Sequence, residues 1–309
     1  MRDDAAIYDA SVVARLRAAG CVFAEDEAAV LMATARSAAE LDALVERRAA
    51  GEPLEQVVGW AEFDGLRILV DPGVFVPRRR SEFLVSIAVG LARSRLGESP
   101  GAVIVDLCCG TGALGLAVAT ELTALGRASG AGSAGGAGSA SRLGLAGGTG
   151  SASGDAPVSG GRGQIELYAA DLDPVAVACA RRNVEPADGH VYVGDLFAAL
   201  PDGLRGRVDV LICNAPYVPT GDVAFLPSEA RDHEPLVALD GGLDGLAVLR
   251  RAASGAPAWL APGGVLLVET SDRQAAEMAD AMAAAGLRPV IHTDEDAAAT
   301  VVTGRTANR

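Results

Sequence analysis

The chain has 309 residues, half of them apolar and 4% aromatic, which allows either one large globular domain or a medium-sized domain with a small one. Its 40 acidic and 26 basic residues give a formal charge of −14, which disfavours nucleic acid as a ligand because an acidic surface repels a polyanion. No apolar stretch reaches about 18 residues and the N-terminus has no apolar core, so we expect neither a membrane span nor a signal peptide. The five cysteines, an odd and sparse number, predict free thiols in a cytoplasmic protein, and no Cys or His spacing predicts a metal site.

The first 53 residues are predicted to be helical. Apolar residues recur at helical spacing in "SVVARLRAAG" and "AAVLMATARSAAELDALVERRAAG", and Gly51 with Pro53 ends the pattern. We interpret residues 1–53 as a small helical domain that docks a substrate. Residues 54–76 show short strand-like runs on either side of Asp64-Gly65, which predicts a β-hairpin linker.

Strands and helices alternate from residue 77 onward. Buried-type strand runs alternate with helical patterns, and the strands read "AVIVDL", "QIELYAADL", "HVYVGDL", "VDVLICN" and "GGVLLVET". This order predicts an α/β domain over residues 77–309 with a doubly wound, mostly parallel, Rossmann-like sheet. Residues 127–163 consist almost entirely of Gly, Ala and Ser, which predicts a flexible insertion in a surface loop because such a segment buries too little apolar area to order.

A glycine-rich turn follows the first of these strands. In "VDLCCGTGALG", Gly110, Gly112 and Gly115 form a G-x-G-x-x-G pattern between a strand and a helix. Small residues there let the backbone approach a ligand at the N-terminus of the helix. The pattern fits a dinucleotide enzyme, the nucleoside end of an S-adenosylmethionine enzyme, or a turn with a structural role alone.

Acidic residues end three successive strands and discriminate between these ligands. Asp106 would repel a pyrophosphate, but it suits the cationic methionine end of S-adenosylmethionine, directly or through water. Asp171 can accept from both ribose hydroxyls, and Asp195 from the adenine amine, with Leu196 and Phe197 as walls for the ring. Because strand ends of this kind share one rim of the sheet, the three acids favour a methyltransferase over a dehydrogenase.

The fourth strand ends on Asn-Ala-Pro-Tyr, residues 214–217. Asn and Pro are ordinary turn formers, so one interpretation is a turn that ends a buried strand. The other is a site for a planar NH2 group, whose two hydrogens would be bound by the Asn214 side-chain oxygen and the Ala215 carbonyl. Tyr217 would pack on the substrate or near the sulfonium. The position of the tetrapeptide on the same rim as the three acids favours the second interpretation.

These motifs resemble those of the HemK-type, or PrmC-type, protein glutamine N5-methyltransferases. The resemblance extends over nearly the whole chain apart from the insertion, and it includes "HEPLVALDGGLDGLAVLRR", a string specific to that family. It implies a class I methyltransferase fold, S-adenosylmethionine as cofactor, and methylation of the Gly-Gly-Gln glutamine in a peptide-chain release factor. The implied catalytic residues are Asn214, Ala215, Pro216 and Tyr217, and the implied cofactor-binding residues are Asp106, Cys108, Gly110, Thr111, Gly112, Asp171, Asp195, Leu196 and Asn214.

The chain departs from the family pattern in four places. Ala215 replaces the first Pro of Asn-Pro-Pro-Tyr, Cys108-Cys109 replaces Gly-Thr before the glycine turn, and Leu196 replaces a tryptophan. Residues 77–82, "PRRRSE", replace Pro-Arg-Pro-(Asp/Glu)-Thr-Glu. These departures indicate a related branch, and they leave the identity of the protein substrate open.

Two other functions remain open at this stage. An amino-methyltransferase acting on adenine or cytosine could use the same tetrapeptide, although the charge of −14 and the lack of a basic groove with aromatic residues argue against it. A protein that binds S-adenosylmethionine without transferring the methyl group would carry the same cofactor motifs.

Overall fold

The computed structural model describes residues 2–96, 101–131 and 165–307. Four helices begin the chain, α1 (Arg2–Ala18), α2 (Ala24–Thr34), α3 (Ala38–Ala49) and α4 (Leu54–Val58). They enclose an apolar core of their own, which includes Leu16, Leu31, Val45 and Val57. Helix α4 lies where the sequence predicted the start of the hairpin linker. It joins the helical unit because Val57 packs into this core.

A hairpin of β1 (Trp60–Phe63) and β2 (Leu66–Leu69) follows. Asp64 and Gly65 have φ of 51° and 71°, the left-handed conformations that a two-residue type I′ turn requires. The sequence prediction of a hairpin at this dipeptide is therefore confirmed. Phe63 and Ile68 are fully buried in a core of the following domain, so the hairpin is anchored to that domain.

The main domain is built on a seven-stranded sheet with the order β5-β4-β3-β6-β7-β9-β8. Its strands are β3 (Ala102–Leu107), β4 (Ile165–Asp171), β5 (His190–Val193), β6 (Val208–Cys213), β7 (Leu260–Thr270), β8 (Arg288–Asp294) and β9 (Ala299–Arg305). Strands β3 to β7 are parallel, and β9 runs antiparallel between β7 and β8. The helices are α5 (Glu82–Leu96), α6 (Ala113–Ala131), α7 (Pro174–Val184), α8 (Ser228–His233), α9 (Ala247–Gly255) and α10 (Asp272–Ala284).

Both faces of the sheet are covered, as a doubly wound fold requires. Alternate residues of β3 enter different cores: Ile104 packs with residues of α5 and α6, and Val105 packs with residues of α9 and α10. The strand order reverses between β3 and β6, which opens a crevice at their carboxyl ends. The doubly wound, mostly parallel sheet predicted from the order of strands and helices is therefore confirmed, and it agrees with the class I methyltransferase fold that the family resemblance implies.

The insertion predicted at residues 127–163 can be compared with the structure only at its first five residues. Residues 127–131 of the predicted insertion form the end of α6, and residues 132–163 lie outside the described part of the chain. Within the described residues, no helix is both long enough and apolar enough to cross a membrane.

Candidate active site

The carboxyl ends of β3, β4 and β6 and the residue that follows β5 open into one cavity of about 380 Å³. It is lined by most of the residues that the sequence nominated, namely Cys108, Gly110, Thr111, Asp171, Asp195, Leu196, Asn214, Ala215, Pro216 and Tyr217. These residues come from segments far apart in the chain, and the parallel order of the strands places them together. A cavity of this size can hold a nucleoside-sized ligand and a reacting side chain.

Asp171 fixes the glycine turn from the neighbouring strand. Its Oδ2 accepts from the Gly110 amide at 2.8 Å, and its Oδ1 accepts from the Asp173 amide at 2.9 Å. Burial raises the pKa of Asp171, and these backbone donors act in the opposite direction. A carboxylate has about four lone-pair sites, so two amide bonds leave Asp171 free to accept from a ligand in the cavity.

Asp106 and Gly112 do not line the cavity. Asp106 is 1% exposed and lies behind the turn, where its Oδ2 accepts from the Gly115 amide at 2.9 Å. Its Oδ1 has no hydrogen-bond partner among the residues that the structure describes. Burial raises the pKa of Asp106 to about 7. A Cβ on Gly112 would lie 2.6 Å from Val184 Cγ2, so this glycine serves the packing of the turn against α7. Both residues thus support the turn from outside the cavity lining, and their predicted part in cofactor binding stays a prediction.

Of the three residues predicted to contact the adenine ring, Asp195 and Leu196 line the cavity and Phe197 does not. Asp195 Oδ2 accepts from Arg251 Nη2 at 2.7 Å, which leaves Oδ1 for a ligand. Leu196 is buried at the cavity wall with φ of 49°, a strained conformation for leucine. Phe197, predicted as a second wall, stacks instead on Trp259 with ring centroids 5.6 Å apart.

The tetrapeptide at residues 214–217 is held by the start of α10 and by the glycine-rich loop at residues 240–245. Gln274 Nε2 donates to the Tyr217 carbonyl at 2.9 Å. Gly245, with φ of 78°, packs directly on the same carbonyl, and a Cβ on Gly241 would lie 2.6 Å from the Pro216 carbonyl. Gly241 and Gly245 of "DGGLDG" are thus required by the close approach of this loop to the tetrapeptide. This explains why the string accompanies the tetrapeptide.

Three polar residues near Asn214 were not nominated as site residues from the sequence. They are Arg80, Ser81 and Glu269. Glu269 at the end of β7 is 2% exposed, and its Oε1 accepts from Arg80 Nε at 3.0 Å and from the Tyr217 hydroxyl at 2.9 Å. Ser81 Oγ donates to Glu269 Oε2 at 2.5 Å and lies 3.4 Å from Asn214 Nδ2. Burial raises the pKa of Tyr217, which keeps its hydroxyl protonated. A carboxylate at the end of the apolar run "GGVLLVET" was the available signal for Glu269, since it repeats the pattern of the other strand ends.

The helical unit reaches the cavity through one buried cation. Arg48, 7% exposed, donates to Glu27 Oε2 at 2.6 Å and pairs with Glu229 Oε1 at 2.6 Å. Glu229 belongs to α8 and lines the cavity. Arg78 Nη2 contacts Glu234 Oε1 at 2.5 Å just after the same helix, so two ion pairs position this part of the cavity wall.

Comparison with known proteins identifies the family. The model of the RMKL-like methyltransferase domain matches residues 82–220. The chain is 34% identical to the release factor glutamine methyltransferase of Streptomyces coelicolor over 235 residues, 76% of this chain and 68% of that protein. It is 35% identical to the enzyme of that name from Mycolicibacterium smegmatis, over 79% of this chain and 70% of that protein.

The chain belongs to the release factor glutamine methyltransferase family. The resemblance drawn from the sequence motifs is thereby confirmed. A relative with another acceptor is also similar: the 4-amino-L-phenylalanine/4-methylamino-L-phenylalanine methyltransferase of Streptomyces pristinaespiralis is 31% identical over 76% of this chain and 66% of that protein. Within the release factor glutamine methyltransferase family, this chain carries Ala215 in the tetrapeptide, where it is 2% exposed and lines the cavity.

Proposed function

We propose that the chain transfers a methyl group from S-adenosylmethionine to the side-chain amide nitrogen of a protein glutamine, with the Gly-Gly-Gln glutamine of a release factor as the substrate. The observation that carries this proposal is the position of residues 214–217, which form one wall of the cavity into which the cofactor-binding strand ends open. Membership of the release factor glutamine methyltransferase family supports the same reaction.

The residues around the cavity fit S-adenosylmethionine. Asp171 keeps lone pairs for ribose hydroxyls, Gly110 and Thr111 let the backbone approach, and Leu196 supplies an apolar wall. Carboxylates at successive strand ends also suit a ligand with cationic groups. When bound, S-adenosylmethionine supplies an electrophilic methyl group on a positively charged sulfur.

The acceptor nitrogen is the difficult partner because an amide lone pair is delocalised. The Asn214 side-chain oxygen and the Ala215 carbonyl can each accept one hydrogen of the substrate NH2 group. Two fixed acceptors orient the nitrogen for in-line attack and favour its loss of planarity, which is stabilisation specific to the transition state. Tyr217 lies beside this position with its hydroxyl held by Arg80 and Glu269.

The helical unit at the N-terminus is proposed to dock the protein substrate. It contacts the cavity wall through Arg48 and Glu229, so a protein bound on this unit lies next to the site of methyl transfer. All five cysteines are free thiols, which supports a reducing compartment, and we place the reaction in the cytoplasm.

Radiolabelled methyl transfer tests this proposal. The enzyme and labelled S-adenosylmethionine are incubated with a release factor, with the same factor carrying Ala in place of the Gly-Gly-Gln glutamine, and with 4-amino-L-phenylalanine. Label on the native factor alone is expected, and Asn214→Ala should remove it. Label on the free amino acid, or on the factor without its glutamine, would refute the proposed substrate.

A further inference from the structure

We propose that Glu269 and Ser81 are positioning residues that fix the orientation of the Asn214 amide, so that its oxygen and not its nitrogen is available to the substrate. This inference rests on the proposed function, since it assigns a role within that reaction. In the chain of hydrogen bonds from Glu269 through Ser81 to Asn214, the contacts of the described residues determine which atom donates and which accepts at each step.

The chain of bonds begins at Glu269, whose two carboxylate oxygens both act as acceptors. Glu269 Oε1 accepts from Arg80 and from Tyr217, and Oε2 accepts from Ser81 Oγ at 2.5 Å. Glu269 and Ser81 are 2% and 1% exposed, so water does not compete for these bonds. Arg80 can only donate, which identifies Oε1 as an acceptor position whatever residue occupies site 269.

The hydroxyl of Ser81 determines which atom of the Asn214 amide faces it. A serine hydroxyl has one proton, and here it is directed at Glu269. Ser81 Oγ therefore offers only lone pairs to Asn214, so the nearer amide atom must be the NH2 group, at 3.4 Å. The Asn214 oxygen is then the atom left for the cavity, where the substrate NH2 group needs an acceptor.

Replacing Glu269 by Gln should reverse the chain of bonds. Arg80 and Tyr217 both donate to the Oε1 position, so the Gln oxygen belongs there and its NH2 group faces Ser81. Ser81 then accepts from Gln and donates to Asn214, which turns the amide round and presents NH2 to the substrate NH2. We expect E269Q to lower kcat by about 100-fold, the usual effect of losing one preorganised polar group at the reacting centre.

A second substitution distinguishes this role from a structural one. In E269Q the freed Ser81 proton can be accepted by a carboxylate at 214, whose other oxygen again faces the substrate. The double variant N214D/E269Q should therefore be more active than E269Q and more active than N214D. In N214D alone the new carboxylate faces Ser81 lone pairs and the Glu269 charge. Rescue of this kind follows from hydrogen-bond polarity, and loss of packing would not produce it.

The chain offers a matched control. Glu166 also accepts from a tyrosine hydroxyl, Tyr168 at 2.8 Å, and pairs with an arginine, Arg207 at 3.4 Å. It lies near the amino end of β4, at the edge of the sheet opposite the cavity. E166Q removes a carboxylate from the same two types of partner, a tyrosine hydroxyl and an arginine, and we expect it to keep wild-type kcat.

The experiment combines kinetics with neutron diffraction, in which deuterons on nitrogen locate the amide NH2 group directly. Urea unfolding reports that each variant is folded, and binding of S-adenosylhomocysteine reports that its cofactor site is intact. The expected result is Asn214 nitrogen toward Ser81 in the wild type, the reverse in E269Q, and rescue in N214D/E269Q. An Asn214 nitrogen facing the cavity in the wild type, an unchanged amide in E269Q, or a double variant no more active than either single variant would overturn the proposal.

Two further provisions keep the test decisive. If E269Q does not bind S-adenosylhomocysteine, Ser81→Ala is used in its place, because it removes the hydroxyl that orients the Asn214 amide while Glu269 keeps its other partners. We expect kcat to fall about tenfold, which corresponds to the free energy of one hydrogen bond. An unchanged kcat would overturn the proposal. If the wild type methylates no glutamine, the proposed function fails, and the neutron maps of Asn214 still test the chain of bonds.

Discussion

Replacing Asp106 by Asn should make the stability of the protein less dependent on pH. Asp106 is buried, and within the described part of the chain only one of its oxygens has a hydrogen-bond partner, the Gly115 amide. Burial disfavours its charged form and raises its pKa from 3.8 to about 7. The folded state therefore holds a proton that the unfolded chain releases at lower pH.

The sign and size of the effect follow from this pKa. A carboxyl with a raised pKa in the folded state contributes stability that is complete below its unfolded value and is lost as pH rises through the folded value. Moving the pKa from 3.8 to about 7 corresponds to about 4 kcal/mol over the whole range, of which about 3 kcal/mol falls between about pH 5 and about pH 8. Asn cannot ionise, so Asp106→Asn should lose this part of the pH dependence.

Urea unfolding of both proteins at the two pH values measures the effect. The free energy of unfolding of D106N, relative to wild type, should rise by about 3 kcal/mol from about pH 5 to about pH 8. Any fixed cost of burying the Asn NH2 group cancels in this comparison, as do the titrating groups that do not interact with Asp106. If the two proteins show the same pH dependence, Asp106 is not the buried acid that the structure describes.

Three other substitutions test other parts of the structure. Asp171→Ala should weaken S-adenosylhomocysteine binding at least about tenfold by calorimetry, because a charged acceptor is lost; wild-type affinity would contradict the ribose assignment. Gly112→Ala should lower the free energy of unfolding by about 1–3 kcal/mol, because its Cβ would meet Val184 and its φ is 77°; an unchanged urea midpoint would refute the packing role. Arg48→Met should lower the free energy of unfolding by about 3 kcal/mol or more, because it leaves buried Glu27 unpaired. Adding Glu27→Gln should recover part of that stability. No recovery would show that loss of the ion pair is not the cause.

The sequence predicts the fold well because its signals are local. Buried parallel strands are continuous apolar runs, and Asp64-Gly65 specifies a hairpin turn through its backbone conformation alone. The short helix α4 was missed because its five residues carry little periodic signal and its stability comes from Val57 in the core of the helical unit.

The site was predicted in part, and what was missed depends on distant contacts. Strand ends place Asp171 and Asn214 on one rim whatever the side chains do. The direction of Asp106, behind the turn, depends on packing with Gly115 that no pattern encodes. The partnership of Arg80 with Glu269 joins residues 189 positions apart, so local sequence gives no sign of it.

Tandem mass spectrometry of a release factor methylated by this enzyme tests the central claim most directly. The predicted result is a single methyl group on the side-chain amide nitrogen of the Gly-Gly-Gln glutamine. The Asn214→Ala enzyme should leave the factor unmodified. A methyl group on another residue of the factor, or no modification by an enzyme that still binds S-adenosylhomocysteine, would contradict glutamine methylation as the activity of this chain.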